Sequence, residues 1–185
     1  MKRLMKSLFS VLALSGCLLT GFTVASLAEG LPGVTLFGNV QPENQLPFRL
    51  DFGGVPSVWD RYRLRIPSKK VKLAIAQIAI SYPDYYQGEF DPKAVAVALT
   101  SNSSSFGGPK ILKRLPIQEV NWDKENRMLL IYLKEPIPAS SNVEIILSNV
   151  LNPSPGGIFN FNCQIQTPGD LPLLRYIGTW ILNIG

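Results

Sequence analysis

The stretch FNFNCQIQ, residues 159–166, is the clearest β-strand in the chain because apolar and polar side chains alternate along its whole length. Successive side chains of a strand point to opposite faces of its sheet, so one face here is apolar and the other carries amides. The apolar face holds Phe159, Phe161, Cys163 and Ile165, and the polar face holds Asn160, Asn162, Gln164 and Gln166. An apolar sheet face needs a second layer to cover it, so we expect a layered β-structure.

Short runs of β-like sequence recur on both sides of this strand and are separated by turn residues. Residues 61–66 alternate strictly, and residues 73–81 (LAIAQIAIS) are apolar on both faces, as in a central strand. Further runs lie at 94–100, 117–122, 128–133, 143–147 and 176–184, with a shorter one at 34–37. Prolines fall between the runs, and no amphipathic helix is evident. The pattern predicts an all-β sandwich or barrel, and the two-sided strands favour an immunoglobulin-like β-sandwich of about seven to nine short strands.

The N-terminus has the pattern of a secretory signal peptide. Three positive charges, Lys2, Arg3 and Lys6, precede an apolar run over residues 8–27. Ser-Leu-Ala at 26–28 supplies the small-x-small sequence behind which a signal peptidase cuts. We therefore expect an exported protein, located in a periplasm, a thylakoid lumen or outside the cell.

The chain accordingly divides into a signal peptide (1–28), a Gly- and Pro-containing lead-in segment (29–47) and a β-sandwich domain (48–185). Two alternatives remain for the first segment. The apolar run is about long enough to stay as an N-terminal membrane anchor. The sequence Leu-Ser-Gly-Cys at 14–17 has the form of a lipoprotein box, in which Cys17 would be acylated. Cleavage after residue 28 would leave no transmembrane span.

The composition of the remaining residues excludes several classes of protein. Residues 29–185 carry 15 Lys and Arg against 13 Asp and Glu, a net charge near +2 that does not indicate nucleic-acid binding. The chain has no histidine, which removes the commonest general base and every Ser–His or Cys–His nucleophile pair. Only Cys163 would remain after cleavage, so an intramolecular disulfide and a zinc site built from Cys and His are excluded.

Residues 82–91, YPDYYQGEFD, interleave acids with aromatics more closely than any other segment. One hypothesis is a calcium loop, because Ca²⁺ needs several converging oxygens, although the spacing is not that of an EF-hand. Its ligands would be Asp84, Glu89 and Asp91. A second hypothesis is a ligand platform of exposed tyrosines, with Tyr85 and Tyr86 as candidate binding residues. The third, which we favour, is a connection whose aromatics fill one end of the core while its acids face water.

A basic ridge is the other candidate binding surface. Arg61, Arg63 and Arg65 lie on one face of a predicted strand. Guanidinium groups in a row suit an anionic surface, such as a sulfated glycan, a lipid headgroup or an acidic protein. The alternative is a solvated outer face, or an edge strand that charge protects against aggregation.

The remaining conspicuous residues favour structural roles. Cys163 lies on the apolar face of its strand and is expected to be a buried, unreactive thiol. The tryptophans Trp59, Trp122 and Trp180 lie in or beside predicted strands and are expected to anchor the core. No nucleophile elbow, phosphate-binding loop or local carboxylate pair points to catalysis, and no cofactor is indicated.

Six segments, taken in order, resemble a known family. They are LPFRLDFGG (46–54), RYRLRIP (61–67), ISYPDYYQGEFDP (80–92), VNWDKENRMLLIYL (120–133), LSNVLNPSPGG (147–157) and RYIGTWILNIG (175–185). Together they resemble a secreted cyanobacterial family catalogued as domain of unknown function 2808. The resemblance implies a cyanobacterial, exported protein and brings no activity, cofactor or site residue with it.

These observations predict an exported, non-enzymatic protein that acts as a structural or protein-interaction module. Its partner would be an envelope or lumenal protein or an anionic surface, met first by the arginine ridge and second by the 82–91 segment. The alternative is a carbohydrate- or calcium-binding module that uses the 82–91 segment.

Overall fold

Two antiparallel β-sheets packed face to face make up almost all of the regular structure. The structure, a computed structural model, describes residues 40–102, 108–169 and 173–185. Three expectations concern residues outside these ranges: the signal peptide at 1–28, acylation of Cys17 and the strand at 34–37.

The described residues contain ten strands and three short 3-10 turns. The strands are β1 (Phe48–Leu50), β2 (Trp59–Ile66), β3 (Ile75–Ser81), β4 (Val95–Thr100), β5 (Ile111–Leu115), β6 (Ile117–Asp123), β7 (Met128–Ile137), β8 (Val143–Leu151), β9 (Gly157–Gln166) and β10 (Arg175–Ile184). The 3-10 turns are Pro42–Asn44, Ser68–Lys70 and Pro92–Ala94. Among the described residues, no helix has the length and hydropathy to cross a membrane.

The strands form two five-stranded sheets in which every neighbouring pair is antiparallel. The order is β1-β2-β8-β4-β5 in the first sheet and β10-β9-β3-β7-β6 in the second sheet. β3 lies at the centre of its sheet, which explains why its sequence is apolar on both faces. The predicted immunoglobulin-like β-sandwich is confirmed, with ten strands in the described residues instead of the seven to nine expected.

The core lies between the sheets and is filled by the inward-facing residues of both. Tyr62 of β2, Phe161 of β9 and Trp180 of β10 are fully buried there. The indole N–H of Trp180 donates to the carbonyl of Arg65 at 3.0 Å, so its polar group is satisfied. This confirms the expected core role of Trp180.

The other two tryptophans occupy different environments. Trp122 is half-buried, packs against the core and donates a 2.7 Å hydrogen bond from Nε1 to the Tyr82 hydroxyl. Trp59 exposes 55% of its surface, so the expectation that it anchors the core is wrong. It is the first residue of β2 and precedes buried Asp60, so its side chain points to the outer side of the sheet.

The alternation along β9 is confirmed, and its polar face is buried as well. Asn160, Asn162 and Gln164 expose 8%, 0% and 2% of their surfaces. The Thr179 hydroxyl donates to Asn162 Oδ1 at 2.7 Å. The amide face of this inner strand is therefore shielded by its neighbours rather than open to water.

Two strands, β1 and β5, were not predicted from the sequence. β1 has only three residues, and β5 (ILKRL) is exposed along most of its length, so neither shows a clear alternation. Proline also enters a strand, since β7 continues through Pro136. A register shift between Ile75 and Gln77 of the neighbouring β3 coincides with this position, as at a β-bulge.

Four connections and the C-terminus meet at one end of the sandwich. The connections span residues 51–58, 82–94, 124–127 and 152–156. Their flanking strand ends pair with each other, for example Trp59 with Leu151. This end of the sandwich carries both the 82–91 segment and most of the exposed apolar surface described below.

Candidate functional site

The aromatics of the 82–91 segment fill the end of the core. Tyr82, Tyr86 and Phe90 expose only 6%, 4% and 6% of their surfaces. Tyr86 stacks on Phe90 with ring centroids 5.5 Å apart and meets Phe161 edge-on at 4.9 Å. Tyr86 is thus a core residue and not the exposed platform residue that the sequence suggested, because almost none of its surface reaches solvent.

The hydroxyl groups inside this cluster form a buried chain. The Tyr86 hydroxyl lies 3.2 Å from the Tyr62 hydroxyl, which in turn donates to Asn152 Oδ1. Burial raises the pKa of both phenols above the ordinary value of 10. Both groups therefore stay protonated and serve as donors that hold the core to the loop at Asn152.

Tyr85 is the exposed tyrosine of the segment. It exposes 43% of its surface, and its ring centroid lies 5.5 Å from that of Phe159. Its hydroxyl donates to the carbonyl of Ile158 at 3.3 Å. Tyr85 is therefore available for contact at this end of the sandwich while its ring rests on β9.

The three acids of the segment do not converge. Asp84 and Asp91 line different surface cavities, and Glu89 borders both. Among the described residues there is no group of three Asp, Glu, Cys or His side chains placed to hold a metal ion. The calcium-loop ligand set of Asp84, Glu89 and Asp91 is therefore not assembled.

Trp59 borders a cleft beside this segment. The cleft has a volume of about 440 Å³ and is lined by Trp59, Glu89, Phe90, Asp91, Pro92 and Asn149. Within this lining, Asn149 Nδ2 donates to Asp91 Oδ2 at 3.2 Å. An exposed indole, two carboxylates and an amide thus face one concave surface.

Exposed apolar side chains are concentrated at the same end of the sandwich. Nine large apolar residues of the described chain are exposed, and five of them form what we call the apolar end. Its members are Phe52, Val55, Val58, Tyr85 and Ile158. Trp59 lies beside them, and the remaining three, Leu73, Leu112 and Leu173, lie elsewhere. The loops that carry most of the apolar end, 52–59 (FGGVPSVW) and 152–158 (NPSPGGI), contain no charged residue.

Buried Asp60 fixes the first of these loops. Asp60 exposes only 2% of its surface, and its carboxylate accepts hydrogen bonds from the backbone amides of Phe52 at 2.9 Å and Gly54 at 2.8 Å. The amide of Arg61 also donates to it, at 2.6 Å. Charge-assisted bonds to a buried carboxylate are strong, so the apolar side chains of this loop are presented on a fixed backbone.

The second loop and the C-terminus are tied to the first. Asn152 Nδ2 donates to the Val55 carbonyl at 2.8 Å, and the Asn152 amide donates to the Val58 carbonyl at 3.1 Å. The amide of Gly185 donates to the Gly54 carbonyl at 3.0 Å. Gly156 packs so closely on the Ile184 carbonyl that an added Cβ would overlap it. These contacts hold the 51–58 and 152–156 connections and the C-terminus together at this end of the sandwich.

The arginines of the predicted ridge share the outer face of the first sheet with two acids. Asp51 pairs with Arg63 and Arg49, each at 2.8 Å, and Glu144 pairs with Arg65 at 3.1 Å. Arg61 lies 3.7 Å from Asp51 and stacks over Phe52. The ridge is thus a charge network instead of a row of unpaired cations.

This network retains excess positive charge. Four guanidinium groups surround two carboxylates whose side chains are only 9% and 2% exposed. Burial opposes ionisation of Asp51, but hydrogen bonds from Arg49 and Arg63 outweigh it and lower the pKa of this carboxyl. Both acids hold the arginines in place, and the outward surface is moderately cationic.

Cys163 is a core residue. It is fully buried on β9, and burial raises the pKa of its thiol. The expectation of a buried thiol on the apolar face is confirmed by this position.

Sequence reasoning missed four residues of this end, Trp59, Asp60, Asn149 and Phe52. One signal was present in the sequence. Residues 52–59 carry no charge, contain two glycines and a proline, and end directly before the acid Asp60. The roles of Asp60 and Asn149 had no local signal, because their partners lie on other segments.

A sequence model of one protein family matches residues 34–184. The chain belongs to this family. It is described as a protein of unknown function, DUF2808, and the match covers the whole described sandwich. No curated protein matches the chain.

Several solved structures share features of the sandwich at low identity. A structure described as manganese lipoxygenase of Gaeumannomyces graminis with zonadhesin of Komagataella pastoris matches at 13% identity and a TM-score of 0.41, covering 78% of this chain and 48% of that one. The bacterial hydrophobin BslA matches at 8% identity and a TM-score of 0.44, and the match covers 76% of this chain and 97% of that one. The collagen-binding domain of a Staphylococcus aureus adhesin matches at 12% identity and a TM-score of 0.39, and the match covers 74% of this chain and 94% of that one. Scores this low carry nothing about ligands or partners.

Proposed function

We propose that this chain is an exported, non-enzymatic module that binds a protein of the periplasm, the thylakoid lumen or the cell envelope through its apolar end. The observation that carries the proposal is the concentration of Phe52, Val55, Val58, Tyr85 and Ile158 at one end of the sandwich. A concentration of exposed apolar side chains on a folded domain commonly marks an interaction site.

The rigidity of this surface favours binding. Ordering a flexible loop on association costs conformational entropy, and Asp60 and Asn152 remove much of that cost in advance. The uncharged loops 52–59 and 152–158 match an apolar patch on a partner, since no charge has to be desolvated there. The cationic face beside Arg61 extends the surface toward a partner with an acidic rim.

The chain's own composition supports export without catalysis. The signal-peptide pattern at 1–28 and the resemblance to a secreted family support the location outside the cytoplasm. The absence of histidine removes the residue most often used for proton transfer near neutral pH.

The binding surface is tested by quantitative affinity purification of the tagged full chain from its native cells after crosslinking. We expect the set of recovered exported proteins to shrink for the triple variant Phe52→Ser, Val55→Ser, Val58→Ser. The matched control is Leu112→Ser, which alters an apolar residue that is 65% exposed away from the apolar end. Equal recovery from both variants would contradict the proposal.

The exported state is tested by intact mass spectrometry of the protein recovered from separated cell fractions. A mature start at Glu29 in a soluble extracytoplasmic fraction is expected. A chain that starts at acylated Cys17 would instead indicate a lipid-tethered module, and an unprocessed chain in the cytoplasm would refute export.

A further inference from the structure

The cleft beside Trp59 has the properties of a small-ligand site. Its volume of about 440 Å³ lies within the range of about 300–1,000 Å³ typical of such sites. Its lining combines an indole that is 55% exposed with the polar side chains of Glu89, Asp91 and Asn149. An exposed indole in a concave surface offers an apolar face on which a ligand can stack.

A β-bulge places Asn149 at the cleft. β2 and β8 pair Asp60 with Val150 and Tyr62 with Leu147, so two residues of β8, Ser148 and Asn149, oppose one residue of β2. Asn149 consequently adopts a φ of 53°, a left-handed conformation that asparagine tolerates better than most residues. The bulge turns the Asn149 amide toward Asp91.

The segment that carries Glu89 and Asp91 is also held in place. Glu89 exchanges two backbone hydrogen bonds with Leu151, at 3.0 and 2.9 Å, which dock the 82–91 segment against the end of β8. Phe90, which lies between Glu89 and Asp91 in the sequence, packs into the core and anchors both neighbours. Asp91 Oδ1 also accepts from the amide of Lys93 at 3.0 Å. The polar groups of the cleft are therefore held on a rigid backbone, as a binding site requires.

We propose that this cleft binds a neutral saccharide, with the ring stacked on Trp59 and its hydroxyl groups bonded to Asp91, Glu89 and Asn149. A pyranose ring has an apolar C–H face that suits an indole, and neighbouring hydroxyl groups that donate to carboxylates. The Asn149 carbonyl and amide add an acceptor and a donor. This inference is independent of the proposed protein-binding function, because it uses different side chains and a different class of ligand.

The single exposed ring of the cleft disfavours a quaternary ammonium ligand. Recognition of quaternary ammonium groups uses aromatic cages, and Trp59 is the one broadly exposed ring here, since Phe90 is only 6% exposed. Stacking on a single ring combined with several hydrogen-bonding groups fits a polyhydroxylated ring better.

The test is a screen of the full mature chain against an array of neutral oligosaccharides, followed by titration of each positive glycan while tryptophan fluorescence is recorded. We expect a blue shift and protection from acrylamide quenching, because Trp59 is the exposed indole while Trp180 is buried. Trp59→Ala is expected to abolish the signal and binding, and Asn149→Ala and Asp91→Asn to weaken binding at least tenfold. The matched control is Phe52→Ala, an aromatic that is 59% exposed outside the cleft and whose loss should leave binding unchanged.

Each outcome decides the proposal. Binding that persists in 1 M salt and is lost in Trp59→Ala supports it, because neutral sugars carry no charge to screen. An array without a positive neutral glycan, or glycan binding that survives in Trp59→Ala, overturns it. Binding of tetramethylammonium at the cleft with no glycan bound would overturn it in favour of a cation site. Loss of protein partners in the Phe52, Val55, Val58 variant with glycan binding intact would separate this site from the apolar end.

Discussion

The carboxylate of Asp60 accepts a 2.8 Å hydrogen bond from the amide of Gly54, and this bond ties the buried start of β2 to the exposed loop before it. Gly54 has a φ of 69° and lies against the Leu50 side chain and the backbone of Ile184, so a larger residue would be strained there. One buried carboxylate thus controls how the apolar end is presented.

Replacing Asp60 is expected to loosen the apolar end. Asp60→Ala removes the acceptor of three backbone amides, so the free energy of unfolding should fall by about 2–4 kcal/mol. Hydrogen exchange should accelerate most at the amides of Phe52 and Gly54. Asp84→Ala, at an exposed acid of the neighbouring segment, is the control. Unchanged exchange at Gly54 would show that Asp60 does not hold this loop.

The buried tyrosine pair makes stability depend on alkaline pH. The pKa values of Tyr62 and Tyr86 are raised by burial, so the folded state keeps protons that the unfolded state releases. This contribution is complete below about pH 10 and is lost as pH rises above it. The melting temperature should therefore fall steeply between about pH 10 and 12, and less steeply in Tyr86→Phe. Identical slopes for the two proteins would contradict this assignment.

The two hydroxyl groups of this pair should differ in their effect on stability. Tyr62→Phe removes the donor to Asn152 and the partner of Tyr86, so a loss of about 1.5–3 kcal/mol is expected. Tyr86→Phe removes one longer bond and should cost less than about 1.5 kcal/mol. Chemical denaturation of both variants measures the difference, and equal losses would show that the bond to Asn152 is not the dominant one.

Asp51 is expected to limit the binding of anions to the arginine ridge by pairing with its guanidinium groups. Its pKa is lowered by hydrogen bonds from Arg49 and Arg63, so its stabilising effect is present above the ordinary value of 3.8 and is lost as pH falls below it. Asp51→Asn should lower the unfolding free energy by about 1–2 kcal/mol at neutral pH and flatten the acid limb of the stability profile. The same variant should elute at higher salt from a sulfated matrix, because arginines lose their internal partner. If Asp51→Asn and Asp84→Asn elute at the same salt concentration, Asp51 does not weaken the binding of anions by the arginines.

The Cys163 thiol should be inert in the folded protein. It is fully buried, and burial raises its pKa, so both access and thiolate formation are blocked. In a Cys17→Ala chain, a thiol reagent such as DTNB should label Cys163 only after denaturation. Cys163→Ala should retain the fold at a cost of about 1–2 kcal/mol for the cavity that it leaves. Rapid labelling of the native protein would contradict the burial of this strand.

The strands that sequence predicted are those with a strong internal pattern. Residues 159–166 alternate regularly and lie in β9, and residues 73–81 are apolar on both faces and contain the central strand β3. β1 and β5 escaped prediction because one is too short to show a period and the other has few buried residues. Strand formation in these two elements depends on pairing partners that are distant in sequence.

At the candidate site, too, sequence predicted the features with a local pattern and missed those that depend on distant parts of the chain. The sequence correctly favoured an 82–91 segment whose aromatics fill the end of the core, as Tyr82, Tyr86 and Phe90 do. It placed Trp59 in the core because a tryptophan in a strand is usually buried, yet the parity of β2 turns this side chain outward. It also suggested an open arginine ridge, whereas Asp51, directly after β1, and Glu144 of β8 pair with that ridge.

The sequence by itself determined the all-β class, the absence of histidine chemistry and the identity of the central strands, because periodicity and composition are local properties of a chain. The tertiary structure alone decided which side chains meet. Asp60 caps a loop, Asn149 turns toward Asp91 and uncharged loops converge into an apolar end because strands far apart in sequence pair in one register. Contacts of this kind arise from chain topology, and no local pattern encodes them.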